Sequence, residues 1–577
     1  MRSMVKIELG SKIWLCLALV SLVQYNSADE TTAEGDPLLV QTEYGLLRGV
    51  HIDEGKEVRA FLGIPYAAPP IGKFRWQSPQ KQKSWDGVYM ANEQPVGCPQ
   101  KCGHIEPEYA CPSRNSESCL YLDVYTPRYA NSKSNLPVMV WLHGGNFQSG
   151  GAGVILYDAR YIANISQVVV VSINYRLGAL GFMVTSDGDD RLTGNYGFLD
   201  QQAALRFVRD NIANFGGNPN SVTLFGQSAG AQSIAVHLIS EESKSLFNQA
   251  ILMSDPFTIP YQSPSRAAKL GDRVAELLGC LPADVKCLRA KPADEVLKQS
   301  KEAAADMIYP EVPLQKFELW NPNIDSTIVP GDPLTAFQTG NFWRKPMIVG
   351  TISEECVIYI YKLWDTSPTL TEVSTFLFVV FQDWEVVHRV LETYVIDSKV
   401  DLRDPISVGC TDYIFGCSSR NVSRAAHYAG ALVYHYIFDH AFSFHEGWGP
   451  HLTTCYGRVC HGGDLPFTFH SAPLGGFDYT SSELRLTNSI LSYFGNFAYT
   501  GNPNNNMWSN NTIDTYGHWP EYLQANDWPS MVLRTPENQV QHRYREDMCN
   551  MWDEIGYNKE HNSLEAIFKI FKQLFKL

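Results

Sequence analysis

The sequence predicts an α/β fold, in which a mostly parallel central sheet carries helices on both faces and large insertions. Short apolar runs rich in β-branched residues alternate with helical patterns along the 577 residues. Several of these runs are apolar at every position, which is typical of strands that helices cover on both faces. No internal repeat or low-complexity linker divides the chain. One large domain therefore fits better than two.

The predicted elements follow one another through the middle of the chain. Strands are expected at residues 138–142, 168–173, 222–225, 250–253, 347–349 and 432–438. Helices are expected at 197–211 and 229–239. The segment from 263 to about 310 is rich in Ala, Leu, Lys and Glu, and it predicts a helical insertion.

Composition and charge exclude several classes of function. With 44% hydrophobic and 19% charged residues, the chain has the composition of a globular protein. Its formal net charge is −15, so it repels nucleic-acid phosphates and anionic membranes. We therefore expect no nucleic-acid partner.

Residues 1–28 resemble a signal peptide, and residues 29–556 would then form the mature domain. Three basic residues precede an apolar run at 13–23, and Ser27 and Ala28 follow it. The run is short for a membrane span, and acidic residues come directly after it. The alternative is an uncleaved anchor. After cleavage we expect no transmembrane span.

Cysteines and glycosylation motifs also indicate export. The chain has 13 cysteines, of which Cys16 leaves with the signal segment, so an even number remains to pair in an oxidising compartment. Acceptor triplets begin at Asn164, Asn421 and Asn510. Together these features predict a secretory route that ends outside the cell or in a vesicular or lysosomal lumen.

The C-terminal segment, residues 557–577, is predicted to form an amphipathic helix. Apolar residues recur on one face of 563–577, and lysines lie off that face. The simplest interpretation is a terminal helix that docks on the domain. Self-association into a homo-oligomer and contact with a membrane surface are the alternatives.

The candidate nucleophile is Ser228, within Gly226-Gln227-Ser228-Ala229-Gly230. A predicted strand precedes this motif and a predicted helix follows it, so the serine lies in a tight strand-to-helix turn. Small neighbours permit the sharp bend. The turn exposes the hydroxyl above the sheet, and the NH of Ala229 points to the place where an oxyanion would form.

A second glycine-rich segment would supply further oxyanion donors. His143-Gly144-Gly145-Asn146-Phe147 follows a predicted strand, where lipases and esterases carry an HGGG-type loop. A simple flexible loop is the alternative. A nucleotide-binding loop is disfavoured because the G-x-G-x-x-G spacing is absent.

A serine hydroxyl needs a base to remove its proton and an acid to hold that base. The expected chain order is Ser, then Asp or Glu, then His. Downstream lie the pair Glu354 and Glu355, and then His461. Spacing alone does not choose between the two glutamates, nor between His461 and the other histidines of this region: His445, His451 and His470.

Four further segments resemble the type-B carboxylesterase and cholinesterase family. Its N-terminal signature is similar to residues 61–72, and its second signature to Glu117-Ser118-Cys119-Leu120-Tyr121-Leu122-Asp123-Val124-Tyr125. Asn174-Tyr175-Arg176-Leu177-Gly178 and Asn195-Tyr196-Gly197-Phe198-Leu199-Asp200-Gln201 also match. The resemblance runs from about residue 40 to residue 552.

The resemblance implies an α/β-hydrolase fold and hydrolysis of a carboxylic ester through an acyl-serine intermediate. It picks Glu355 as the acid and His461 as the base of a Ser-His-Glu triad with Ser228. It implies that Gly145, Asn146 and Ala229 supply the oxyanion NH groups. It implies neither a metal nor an organic cofactor. The segment from His445 to His451 lacks the spacing of a zinc motif.

Disulfide pairings come from the same resemblance and from spacing. The family's bridges suggest Cys98 with Cys119, Cys280 with Cys287, and Cys417 with Cys549. Close spacing suggests Cys102 with Cys111 and Cys455 with Cys460. Cys356 and Cys410 remain, and they would pair by elimination.

The sequence also departs from the family pattern. Asn146 replaces a glycine or alanine, and Gln227 replaces the glutamate before the nucleophile. The family's choline-binding tryptophan has no counterpart, and Tyr109 falls near its place, which disfavours a cholinesterase. Phe317 and Trp320 are candidates for the wall of an acyl pocket.

Two other functions remain open beside hydrolysis of a small-molecule ester. One is a catalytically silent, cholinesterase-like adhesion or binding protein, although this chain keeps all three triad residues. The other is a lipase that acts on lipid esters at lipid surfaces. Fold alone does not identify the substrate.

Overall fold

The computed structural model describes residues 36–52, 57–102, 108–186, 191–394, 400–504 and 515–558. The predicted signal segment, the triplet at Asn510 and nearly all of the predicted C-terminal helix lie outside these residues. The division of the chain into a leader, a domain and a terminal helix therefore stays a prediction.

A large mixed sheet forms the centre of the described chain. Its strands, with those of a small second sheet, are β1 Leu39–Thr42, β2 Gly45–Arg48, β3 Val50–Ile52, β4 Val58–Pro65, β5 Val88–Met90, β6 Tyr121–Pro127, β7 Leu136–Leu142, β8 Val169–Ile173, β9 Gly217–Gln227, β10 Gln249–Met253, β11 Met347–Ile352, β12 Val433–Phe438, β13 Pro529–Leu533 and β14 Gln539–His542.

The described strands of the large sheet run in the order β14-β13-β12-β11-β10-β9-β7-β8-β6-β4-β3. Strands β7 to β13 pair in parallel with one another. The strands outside this group, β14 at one edge and β6, β4 and β3 at the other, pair antiparallel. β1, β2 and β5 form a separate sheet. All six predicted strands are present, each with bounds that differ by a few residues.

Helices cover both faces of the large sheet. The α-helices of the described chain are α1 Arg160–Ser166, α2 Gly178–Phe182, α3 Tyr196–Asn211, α4 Ala229–Ile239, α5 Pro264–Leu277, α6 Val285–Ala290, α7 Ala293–Asp306, α8 Pro333–Gln338, α9 Val357–Leu363, α10 Leu370–Phe381, α11 Trp384–Thr393, α12 Arg403–Thr411, α13 Cys417–Tyr428, α14 Leu465–Phe469, α15 Ser481–Thr500 and α16 Glu546–Ile555. The predicted helical insertion corresponds to α5, α6 and α7. Within the described ranges, every helix is too short or too polar to cross a bilayer.

Each face of the sheet packs into its own hydrophobic layer. On β7, Val138, Val140 and Leu142 point into one buried cluster, whereas Met139 and Trp141 point into the other. This alternation follows from the two-residue period of a strand. Because both faces are buried, the strand is apolar at every position, as the sequence predicted. The architecture is an α/β-hydrolase fold.

A third buried cluster lies apart from the sheet. Residues of α9 to α13 pack there against Trp552 of α16. Between α12 and α13 the chain forms a single π-helical turn, Asp412–Gly416. This helical layer matters for function, because it borders the cavity described below.

The twelve cysteines in the described residues form six disulfides. They are Cys98–Cys119, Cys102–Cys111, Cys280–Cys287, Cys356–Cys410, Cys417–Cys549 and Cys455–Cys460. The five pairs expected from resemblance and spacing are present, and Cys356 pairs with Cys410 as elimination suggested. The Cys356–Cys410 bridge joins the start of α9 to α12.

Two predicted glycosylation sites lie in helices. Asn164 is in α1 and Asn421 in α13, and both side chains are half-buried. The Asn421 amide donates to Asp553 and accepts from Gln338. A glycan there would have to break these hydrogen bonds. Both sites stay predictions.

Candidate active site

Ser228 lies in a strained turn between β9 and α4. Its backbone φ is 57°, in the left-handed region that non-glycine residues rarely occupy. A side chain at position 230 would clash with the carbonyl oxygen of Leu142. One at position 226 would come within 2.7 Å of the backbone of residue 230. Both glycines are therefore required for this turn, as the motif predicted.

Ser228 and Glu355 follow the carboxyl ends of two parallel strands. β9 ends at Gln227 and β11 at Ile352, and β10 lies between them. Parallel strands bring these ends to one edge of the sheet, where α/β folds place their ligand sites. Glu355 is completely buried, and its Oε1 accepts a hydrogen bond of 3.0 Å from the NH of Ile352.

The two glutamates that spacing did not separate have different partners. Glu355 Oε2 lies 2.5 Å from Nδ1 of His461. Glu354 instead accepts from the NH of Val459 at 2.8 Å and lies 3.5 Å from Arg458. The structure therefore brings Glu355, and not Glu354, into contact with His461. Glu354 holds the loop that leads to His461.

Two aromatic rings border the imidazole of His461. The ring centroid of Phe415, in the π-helical turn, lies 5.2 Å away, and that of Tyr359 lies 5.6 Å away. The competing histidines have other surroundings: His445 lies beside Tyr456, and His470 beside Tyr161 and Thr487.

A neighbour of the nucleophile occupies the second nitrogen of His461. The Nε2 atom of Gln227 lies 2.9 Å from Nε2 of His461. With Nδ1 donating to Glu355, the imidazole Nε2 is an acceptor and the Gln227 amide is its donor. The hydroxyl of Ser228 forms no hydrogen bond with any described residue. The sequence marked Gln227 as a departure but did not predict this contact.

The glycine-rich loop after β7 lies against the nucleophile. A Cβ at position 144 would be 2.6 Å from the carbonyl oxygen of Gln227 and 3.2 Å from the Cβ of Ser228, so only glycine permits this approach. Gly145 and Asn146 have φ values of 104° and 56°. Among the described residues, no backbone acceptor binds the NH groups of Gly145, Asn146 or Ala229. These NH groups therefore remain available as donors, as an oxyanion site would require.

Buried aromatic contacts fix this loop. The ring of His143 stacks on Tyr175 with centroids 4.3 Å apart, and the Tyr175 hydroxyl donates to the carbonyl oxygen of His143 at 2.7 Å. Burial lowers the pKa of His143 to about 4, so this imidazole is neutral and has a structural role. The Asn146 side chain donates to the carbonyl oxygen of Phe317 at 3.0 Å. The loop and the segment around residue 317 are thereby joined.

A cavity of about 470 Å³ opens onto Ser228 and His461. Tyr109 and Phe317 line it, as predicted for a substrate pocket. Trp320 does not line the cavity, because its side chain is buried in the main hydrophobic cluster. Much of the wall comes from the third cluster, including Phe376, Leu377, Val380, Phe381 and Ile406. Sequence patterns did not point to these residues.

Sequence patterns also did not point to two buried carboxyl groups of this region. Asp464 is 2% exposed, and burial, with the charge of Glu355, raises its pKa to about 7. Glu318 lines the cavity, and burial raises its pKa to about 7. Glu318 follows Phe317 directly, but its position in the wall depends on a loop that no sequence pattern describes.

In the described chain, no group of three or more His, Cys, Asp or Glu side chains is arranged to hold a metal ion.

Comparison with known proteins agrees with this geometry. The model of the carboxylesterase family matches residues 36–552. The chain is 31% identical to rat liver carboxylesterase 1F, over 95% of this chain and 100% of that protein. It is 34% identical to human cocaine esterase over 82% and 84% of the two chains. It is 35% identical to the cAMP-regulated D2 protein of Dictyostelium discoideum, over 91% and 94%. The chain belongs to the carboxylesterase family, and it is a serine carboxylesterase.

Proposed function

We propose that this carboxylesterase cleaves its ester through an acyl-serine intermediate, with Ser228 as nucleophile, His461 as base and Glu355 as acid. The contact of 2.5 Å between His461 Nδ1 and the buried Glu355 carboxylate is the observation that supports this most directly. It fixes the tautomer in which Nε2 is free of a proton and can accept one.

In the first step, Ser228 Oγ attacks the ester carbonyl carbon while His461 Nε2 takes the hydroxyl proton. The carbonyl oxygen becomes an oxyanion, which the NH groups of Gly145, Asn146 and Ala229 stabilise. His461 then gives the proton to the departing alkoxide, and the acyl group stays on Ser228. Water repeats the sequence in the second half and releases the carboxylic acid.

Gln227 adds one requirement to this sequence. Its amide and the Ser228 hydroxyl need the same lone pair on His461 Nε2. The Gln227 side chain must therefore move away before proton transfer. Binding of an ester in the cavity is the event that would displace it, since Gln227 also lines that cavity.

The cavity favours esters with a large apolar group. Side chains of α10, α11 and α12 give it a hydrophobic wall, and its volume lies in the range that holds drug-sized molecules. The lipase alternative gains support from α10 and α11, where Leu370 and Trp384 are exposed on helices that border the cavity. A long acyl chain would fit this cavity whether the substrate is a small-molecule ester or a lipid ester.

We also propose a secretory location. Six disulfides are expected to persist in an oxidising compartment and are rare in the cytosol.

The test is a series of nitrophenyl esters with acyl groups from acetyl to dodecanoyl, measured on wild type and Ser228→Ala. We expect kcat/KM to rise with acyl length and the alanine variant to lose activity. Unchanged hydrolysis by Ser228→Ala would exclude Ser228 as nucleophile. No turnover of any ester by folded wild type would favour the silent binding protein. Activity that increases sharply when the ester is presented in vesicles would favour the lipase.

A further inference from the structure

One polar side chain interrupts the apolar wall of the substrate cavity. Glu318 is 4% exposed, and it borders the same space as Ser228 and Phe317. Its Oε2 accepts hydrogen bonds from Gln232 at 2.7 Å and from Asn321 at 3.4 Å. Its Oε1 accepts none from the described residues. Two amides thus hold the carboxyl in place and leave one oxygen for the cavity.

Glu318 is fixed close to the reacting atoms. Gln232 lies in the first turn of α4, one helical turn after Ser228. The carbonyl oxygen of Phe317, the residue before Glu318, accepts the hydrogen bond from Asn146 of the glycine-rich loop after β7. A substrate group that reaches Glu318 would therefore lie near the scissile ester bond.

The surroundings of Glu318 contain negative charge and no bound cation. Asp255 is 1% exposed, and neither of its oxygens has a hydrogen-bond partner. The charge of Glu318 raises the pKa of Asp255 further above the effect of burial, and so does Asp332. In addition to burial, the charge of Glu318 also raises the pKa of the Tyr175 and Tyr261 hydroxyls. In the described ranges, no Lys, Arg or His forms an ion pair with Glu318 or Asp255.

A buried carboxyl without a counter-ion keeps its proton to a higher pH, because desolvation penalises the charged form. A cation in the cavity reverses this preference, since it pairs with the carboxylate and releases the proton. Lys362 also lines the cavity, but its side chain is exposed, whereas Glu318 is buried. A cation would therefore have to come from the substrate.

We propose that Glu318 is a specificity residue that binds a protonated amine of the substrate, so that the preferred esters carry an ammonium group near the scissile bond. This inference rests on the proposed function, because it assigns a substrate class to the same site. The amine would belong to the acyl group or to the alcohol, and the chemistry of recognition is the same for both.

The experiment compares esters of nearly equal shape that differ in charge. On the acyl side, the methyl ester of dimethylglycine is paired with methyl isovalerate. On the alcohol side, dimethylaminoethyl acetate is paired with isoamyl acetate. Each pair is measured on wild type, on Glu318→Gln and on the control Glu242→Gln, whose carboxyl is exposed on the surface.

We expect wild type and Glu242→Gln to favour the charged ester of at least one pair by about tenfold or more in kcat/KM, as a charge-assisted hydrogen bond implies. In Glu318→Gln the ratio of kcat/KM for the charged ester to kcat/KM for the apolar ester should fall to about one, whatever the overall level of activity. For the alcohol-side pair, whose amine keeps its proton at this pH, the wild-type preference should also increase as the pH rises through about 7, where Glu318 loses its proton more readily. A purely structural role would not produce this dependence.

A wild-type enzyme that favours the apolar member of both pairs would overturn the inference, and so would an undiminished preference in Glu318→Gln. Both results leave the proposed function intact, because the apolar esters are still hydrolysed through Ser228. If wild type hydrolyses neither member of either pair nor any nitrophenyl ester, the proposed function itself fails. Near-ultraviolet circular dichroism and the Tm establish that each variant is folded.

Discussion

The side-chain amide of Gln227 lies 2.9 Å from Nε2 of His461, the nitrogen that accepts the proton of Ser228 in the proposed mechanism. On its other side, Nδ1 of the same imidazole lies 2.5 Å from Glu355. Without substrate, His461 is thus held between an amide and a carboxylate. In the proposed mechanism, Glu355 prepares this base for catalysis, whereas Gln227 competes with the nucleophile for it.

The first prediction concerns this competition. Gln227→Ala removes the donor from His461 Nε2, and we expect Ser228 to react faster with an organophosphorus probe. The gain should be about fivefold, because one neutral hydrogen bond contributes about 1 kcal/mol. Stopped-flow inactivation kinetics measure it. The control is Gln148→Ala, which changes an exposed glutamine just after the glycine-rich loop. Slower labelling of Gln227→Ala would mean that the amide assists proton transfer.

The second prediction separates Glu355 from its neighbour. Glu355→Gln keeps the shape of the side chain but cannot stabilise an imidazolium, so kcat should fall on the order of 10³- to 10⁴-fold. Glu354→Gln should keep most of the activity, because Glu354 contacts Val459 and Arg458 and not the imidazole. Steady-state kinetics on both variants test this. A larger loss in Glu354→Gln would contradict the assignment of the acid.

The third prediction tests the turn that carries Ser228. A methyl group at position 230 would clash with the carbonyl oxygen of Leu142, so Gly230→Ala should lower the free energy of unfolding by about 1–3 kcal/mol or more. Gly331→Ala is the matched control, since nothing lies within 4 Å of a Cβ there. Chemical denaturation compares the two. Equal stability of both variants would show that the turn is less tightly packed than described.

The fourth prediction uses the buried carboxyl of Asp464. Its pKa is raised to about 7, and in the unfolded chain it would have an ordinary value near 4. Between these values the folded protein holds a proton that the unfolded chain has released. Asp464 therefore makes the protein less stable as the pH rises from about 4 to 7, by a few kcal/mol at most.

Asp464→Asn replaces the carboxyl with a side chain that does not titrate, so the variant should lose less stability than wild type between pH 4 and pH 8. Urea unfolding at several pH values measures the difference, and the exposed Asp210→Asn is the control. The two curves would run parallel if Asp464 were ionised throughout this range.

Sequence patterns predicted the parts of the molecule that depend on local chemistry. The strands of the large sheet were predictable because burial on both faces leaves them apolar, as on β7. The turn at Ser228 was predictable because a left-handed φ and close packing restrict its neighbours to small residues. Glu355 was distinguished from Glu354 by family resemblance and not by spacing.

The cavity wall was not predictable in this way. Trp320 lies two residues after Glu318, yet it points into the core, whereas Glu318 lines the cavity. An irregular loop decides which side chain faces which way, and loops lack the periodicity that identifies a buried face in helices and strands. The contact of Gln227 with His461 joins residues 234 positions apart, so only the folded chain reveals it.

The most direct test of the account is the covalent modification of Ser228. Wild type is treated with a fluorophosphonate probe and digested, and the modified peptide is identified by mass spectrometry. We predict one adduct, on Ser228, formed in proportion to the loss of esterase activity and strongly reduced in His461→Ala. Loss of activity with the label on another residue, or full activity with Ser228 fully labelled, would contradict the proposed mechanism.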